Sequence, residues 1–456
     1  MLKERILLCS KIAAAGALLL LALSPLAPAD EGAGRGGADL VAPDLPSNDP
    51  IATNANRMLA EGRQTFRYNS FGDQVFWSRI LGIHQALKQV SPRTALAVGL
   101  KVDAEALPPA ILAQLDRKAT TPLASHEPSK AIDLDDPAVT AELLRLNAVV
   151  GVRGFFNPDG SLRAAGITCA LCHSTVDNSV APGIGKRLDG WPNRDLNVGA
   201  IVNLAPNLQP VAALLGVDEP TVRTVLKSWG PGKFDAELFL DGKAFRPDGK
   251  TAATLIQPAY GLAGVDGHTF TGWGSVTYWN AFVANLEMHG QGRFWDPRLN
   301  DPVKFPIAAR NGFGDVQSTN DLITPKLASL QVYQLAIPAP TPRPGSFDRA
   351  AADRGKLVFA EAGCARCHVP PLYTEPGWNR HTPEEIGIDS FQADRSPDGR
   401  YRTTPLKGVS AHSQGGFYHD GRFATLRDVV DHYDQHFALH LTEAKKSDLV
   451  EFLKSL

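Results

Sequence analysis

Apolar positions along the chain change period several times, and each change predicts an element boundary. After Asp136-Pro137, an N-cap followed by proline in the first helical turn, Val139, Leu143, Leu146 and Val150 keep a helical spacing. Upstream, residues 51–150 read mostly helical, broken at Ser91-Pro92, Pro108-Pro109 and Thr121-Pro122. Phe155-Phe156-Asn157-Pro158-Asp159-Gly160 reads as a turn between two short extended pieces that deliver the chain to Gly166-Ile167-Thr168-Cys169. In the last third, Leu426, Val430, Tyr433 and Phe437 share one helical face, with His432 pointing away from it. A helix after Thr442 carries Leu449, Val450 and Leu453, which are expected to pack back on a helix that Ser346 caps and that runs to about Ala360.

Proline and glycine divide the chain. Residues 1–29 have the layout of a signal peptide: Lys3 and Arg5, an apolar run from Ala13 to Leu23, then Ala27-Pro28-Ala29 before Asp30. The run is shorter than the roughly 20 residues a membrane span needs, so export with cleavage after Ala29 and no stable membrane span is expected. Residues 30–50 are rich in Gly, Ala, Pro and Asp and read as a flexible lead-in. The stretch 337–345, Ile337 to Gly345, is a stiff proline-rich linker. It separates a first part, residues 51–336, from a second, residues 346–456.

Net charge is −2 with both signs interspersed. That argues against a nucleic-acid partner and offers no polybasic membrane patch. Cysteine usage is more informative. Cys9 lies in the leader, and the other four sit in Cys169-Ala-Leu-Cys172-His173 and Cys364-Ala-Arg-Cys367-His368, so no disulfide framework remains. In C-x-x-C-H two thiols can be tied to the vinyl positions of one porphyrin while the adjacent imidazole sits beneath the iron. A Cys₄ zinc knuckle would need both pairs to converge, and neither it nor a thioredoxin-like pair explains the trailing His. The chain therefore reads as mainly α and loop-rich, with two cytochrome c-like haem domains behind an N-terminal helical extension. It is expected to carry two covalent haem c groups, with His173 and His368 as iron ligands. The face of Val139, Leu143, Leu146 and Val150 is expected to pack on the first haem. Attachment of such haems outside the bacterial inner membrane places the protein in the periplasm. The aromatic residues Trp191, Trp229, Phe270, Trp273, Tyr278, Trp279 and Phe282 read as haem-packing core, with one Trp as an electron relay between haems as the sharper alternative.

Tyr401-Arg402-Thr403-Thr404-Pro405-Leu406-Lys407 and the run from Gly416 to Leu426 (GFYHDGRFATL), together with the two haem motifs, resemble the bacterial dihaem cytochrome c peroxidase and MauG superfamily. The stretch from Ser228 to Asp235 (SWGPGKFD) and the long N-terminal extension are more similar to the dihaem rubber-oxygenase branch. The resemblance implies a first haem that reacts with hydrogen peroxide or dioxygen. It also implies a second haem that relays electrons from a small periplasmic donor of cytochrome c or cupredoxin type. Calcium between the domains is implied too, held by Asn193 or Asn197 and by the Thr403–Pro405 segment.

Two departures from the family pattern matter. No His occurs between His173 and His268, where a distal His is expected, and Lys186 and Arg187 occupy that neighbourhood. These two are candidates for the distal side of the first haem, where a basic group would favour a bound peroxide anion. The first iron is then open, or takes a ligand from His268, Met288 or His289. No Met follows Cys364, so the second haem lacks the usual thioether. The resemblance and the helical period both point to Tyr433 as its distal ligand, with His432 and His436 as rivals and a packed core aromatic as the plain alternative. Arg422 is a candidate partner for a haem propionate, and His419 either acts chemically or holds a turn. The function classes left open are a peroxidase, a non-catalytic electron carrier, and a haem oxygenase acting on an organic substrate.

Overall fold

Several helices begin where a short polar side chain takes up an orphan backbone N–H in the computed structural model, which describes residues 49–112 and 133–456. Expectations for the leader, for nearly all of the lead-in and for the break at Thr121-Pro122 lie outside the described residues. In chain order the elements that matter for the site are α1 (Pro50–Tyr68), α2 (Pro137–Arg145), the hairpin β1 (Val152–Phe156) and β2 (Leu162–Ile167), and the short α3 (Ala170–His173). Then come β3 (Ser174–Val176), β4 (Arg187–Asp189), α4 (Val276–Phe282), α5 (Thr324–Ala336), α6 (Arg349–Glu361), α7 (Leu426–His436) and α8 (Glu443–Lys454). Ser275, Thr425 and Thr442 cap α4, α7 and α8 through their side chains. The fold is mainly helical, with only short two-stranded pairs among the described residues, as the sequence pattern predicts.

α2 starts as expected, with the Asp136 carboxylate accepting from the Ala138 N–H at 2.8 Å and Pro137 in the first turn. It ends sooner than its apolar period suggests. Leu146 is the C-cap and Asn147 takes the left-handed conformation, φ 55°, so Val150 leaves the helix. Leu143 packs in the large apolar cluster with Val149, Leu171 and Ile184, and Val150 joins a second cluster around Phe66 and Phe71. The α2 face thus builds core rather than bordering a haem cavity. The β1–β2 hairpin is present with Val152 opposite Ile167, so the chain reaches Cys169 as the turn residues predict.

Two helix pairs fix the frame. α1 lies on α5 with Phe66 and Leu330 fully buried in one cluster. α6 lies on α8 so closely that a Cβ on Gly355 would sit 2.0 Å from the Asp448 carbonyl oxygen. Phe359 and Phe452 meet edge to face at 5.2 Å in the same interface. The cap of α6 is Asp348 rather than Ser346, because its carboxylate reaches the Ala351 N–H at 2.9 Å. Polar contacts tie the segments before and after residues 337–345. Arg395 is fully buried between Asp235 and Asp241 at 2.9 and 2.8 Å, and the Tyr260 hydroxyl donates to the Gly408 carbonyl at 3.0 Å.

Candidate haem sites

α3 is a single turn hung between β2 and β3, and it presents Cys169, Cys172 and His173 to one apolar cavity of about 290 Å³. Gly151 makes this possible. Its φ is 79°, and a Cβ there would sit 2.2 Å from the Leu171 nitrogen, so any side chain would push the hairpin off the motif. His173 faces the Gln257 carbonyl, with Nδ1 3.0 Å from the oxygen. A carbonyl only accepts, so Nδ1 carries the proton and Nε2 keeps its lone pair. Burial lowers the imidazole pKa and keeps the ring neutral. Burial also pushes the Cys169 and Cys172 thiols up to about 12, so neither is a standing thiolate.

The second motif repeats this arrangement on different elements. Cys364, Cys367 and His368 follow α6 directly and border a separate cavity of about 520 Å³. His368 Nδ1 lies 3.2 Å from the Tyr373 carbonyl, so Nδ1 again carries the proton. Burial brings this imidazole down to about 4. Because each Cys pair borders its own cavity, the pairs do not converge on one tetrahedral site. In each cavity the donor set fits one covalently held haem: two thiols and a neutral imidazole with its second nitrogen bonded away.

Not all of the expected distal residues reach these cavities. Lys186 and Arg187 border neither, which corrects their placement beside the first haem. Arg187 lies on β4, where pairing with β3 turns it toward Asp189 at 3.0 Å and Asp103 at 3.9 Å. Lys186 lies just before β4, and its backbone N–H donates to Asp177 at 2.8 Å. His268, Met288 and His289 all border the first cavity. Met288 packs into the cluster with Phe66 and Phe71, and His268 donates Nε2–H to the Val265 carbonyl at 2.9 Å. His289 stacks on Phe76 at 3.7 Å, at a backbone φ of 58°. Burial brings both imidazoles down to about 4.

In the second cavity Tyr433 borders the space, while His432 and His436 do not. Their Nε2 atoms donate to the Ile386 and Glu385 carbonyls at 3.0 and 3.1 Å. Tyr418 borders the same space with a buried hydroxyl that interacts with the Tyr433 hydroxyl. His419 is there too, stacked on Tyr401 at 5.5 Å. Arg422 is elsewhere. It pairs with Asp389 and with Asp420, the latter at 2.9 Å, so it has no free fork for a propionate. Of the oxygens considered for calcium, Asn197 Oδ1 caps a helix by accepting from Ala200 at 2.9 Å, and the Thr403 carbonyl accepts from Thr374 at 2.5 Å. Asn193 Oδ1 is buried without a partner.

Several residues bordering the cavities were not singled out from sequence. Glu287, at the end of the π-helical turn after α4, borders the first cavity with both carboxyl oxygens buried and unpartnered. Burial, then the nearby Glu237 and Asp235 charges, pushes its pKa well up, so it holds a proton. Its one sequence signal is a lone acid in the apolar run Ala281–Met288. The wall common to both cavities consists of Gln257, Pro258, Leu262, Phe270 and Arg402. No Trp stands in it. Trp229 and Trp279 border the first cavity only, and Trp273 and Phe282 pack away from it with Phe294 and Phe305.

No family model matches the chain. Methylamine utilization protein MauG of Methylorubrum extorquens is 24% identical over 271 residues, covering 48% of this chain and 76% of MauG. The chain is similar to MauG. This agrees with the resemblance carried by the two haem motifs and the C-terminal segments, and it supports a c-type haem oxidoreductase. Among solved structures, a chain of xenon-pressurised hydrazine synthase from Kuenenia stuttgartiensis overlaps 48% of this chain and 86% of its own length. It does so at 15% identity and a TM-score of 0.29, which carries no argument about fold. No helix among the described residues is long and apolar enough to cross a membrane.

Proposed function

We propose that the protein is a periplasmic dihaem oxidoreductase of the cytochrome c peroxidase type. Hydrogen peroxide is reduced at the haem of the first motif, and the second haem relays electrons from a small donor of the cytochrome c or cupredoxin kind. The overall change is H₂O₂ + 2 e⁻ + 2 H⁺ → 2 H₂O. The observation that carries the reading is Glu287, a buried carboxyl without a partner on the border of the cavity that holds His173. Reduction of peroxide consumes protons, and a carboxyl that burial keeps protonated is a general acid placed where the reaction needs one.

The haem iron, when bound, supplies the electron-transfer chemistry. The chain supplies the rest. The Gln257 carbonyl fixes the His173 tautomer so that Nε2 faces the cofactor. Val225, Leu226, Trp229 and Trp279 keep the cavity apolar, which strengthens each charge–dipole interaction inside it. Glu287 holds its proton on a carboxyl oxygen until charge develops on the peroxide oxygens. Electrons arriving at the second cavity have only the thickness of the shared wall to cross.

Denatured-protein mass spectrometry should show two covalent haems, and Cys169→Ala or Cys364→Ala should disturb attachment at its own site alone. Stopped-flow mixing of the fully ferric protein with hydrogen peroxide should give a rapid Soret shift without prior reduction, lost on substitution of His173. A spectrum that does not respond would leave an electron carrier in place of a peroxidase.

A further inference from the structure

Two arginines beside the cavities, Arg194 buried and Arg402 half-buried with its Nε fully enclosed, have no acid to balance them. Arg402 borders both cavities. Its Nη1 donates to the Gly267 carbonyl at 2.9 Å, its Nε is buried without a partner, and no carboxylate among the described residues pairs with it. Arg194 borders the second cavity alone; its Nη1 donates to the Gln414 carbonyl at 3.3 Å, and its Nε is likewise buried and unpartnered. Burial brings both side chains down to about 10, which is the direction expected of a cation short of an anion. A buried unpaired charge is strongly unfavourable. The other buried arginine of this region, Arg395, has two carboxylates. What Arg402 and Arg194 lack, the expected cofactors have, since each haem carries two propionates and a planar guanidinium matches a carboxylate with two parallel N–H donors.

We infer that Arg402 is a clamp shared by the two cofactors, taking one propionate of each haem across the wall between the cavities, and that Arg194 takes a propionate of the second haem alone. The inference rests on the two-haem reading and not on the reaction assigned to it. One cation bonded to both cofactors favours the reduced state of each iron. It also makes the charge on one haem felt at the other.

Spectroelectrochemical titration of the holo-protein, in mildly alkaline buffer where a carboxylate stays ionised, reads both midpoint potentials. Arg402→Gln is expected to lower both, each by the equivalent of at least about a tenfold change in the reduction equilibrium, about 59 mV for one electron. Arg402→Lys should lower them less, and Arg194→Gln should lower one alone. Unchanged midpoints in Arg402→Gln, or a shift in only one of them, would overturn the shared clamp. Should Arg402→Gln not retain both haems, Arg402→Lys decides. Retention with Lys shows that the charge is what is required. Loss with Lys as well shows a packing role and sinks the proposal. A protein inert to peroxide would still show these shifts, so failure of the clamp and failure of the peroxidase reading are separate results.

Discussion

Tyr433 parts company with the two histidines beside it on α7 because only its side chain turns into the second cavity. The Nε2 atoms of His432 and His436 are taken up by the Ile386 and Glu385 carbonyls of the short helix Pro383–Ile386. We therefore expect Tyr433→Phe to change the axial-ligand absorption and EPR signals of one haem, with His432→Ala and His436→Ala leaving them as they are. A signal that follows either His would move the ligand to it. At the first haem, Glu287→Gln keeps the shape of the side chain and removes its transferable proton. The rate of peroxide reduction should fall about 10²-fold or more with haem content unchanged, and an unaltered rate would free Glu287 of that role. Tyr433 was legible from the helical period because inward and outward faces are a local property. Lys186 and Arg187 were misplaced because closeness to the motif in sequence says nothing about which side of the β3–β4 pair a side chain takes. Arg402 lies in a stretch that carries the resemblance, but the wall it joins is built with residues some 130 positions away, such as Phe270, which no local pattern shows.

At the scale of elements, the starts of α2 and α8 were readable, since Asp136 and Thr442 each act on a backbone N–H two or three residues away, whereas α6 is capped by Asp348 and not by the expected Ser346. The end of α2 was not readable, because apolar spacing continued past Asn147 while the backbone turned left-handed to form the hairpin. The crossing of α6 on α8 also follows from one residue. Gly355 has its would-be Cβ against the Asp448 carbonyl, which is backbone and cannot swing aside. Gly355→Ala should force the helices apart and cost about 1–3 kcal/mol, the usual range for overpacking. Because α6 leads into Cys364, thermal unfolding followed at the second haem should shift to lower temperature.

For the molecule as a whole, Arg395 is the strongest tie between the chain before residue 337 and the chain after residue 346, held fully buried by Asp235 and Asp241. Removing one partner of such a cluster leaves buried charge uncompensated, at a cost of about 3–5 kcal/mol. The pH dependence gives the test its direction. Burial pushes the Asp235 carboxyl up to about 7 even with Arg395 pulling the other way, whereas an unfolded Asp titrates near about 4. A carboxyl raised in the folded state contributes its full stability below the unfolded pKa and loses it as pH rises through the folded value. Arg395→Met takes away the downward pull, so the folded pKa rises further and the loss at neutral and alkaline pH deepens. Denaturant unfolding of the holo-protein should then show the variant far weaker than the native chain at about pH 8, with the gap narrowing as the acids take up protons toward about pH 5. A gap of the same size at every pH would mean that Arg395 acts by filling space, and the charge of the cluster would have no part in holding the two segments together.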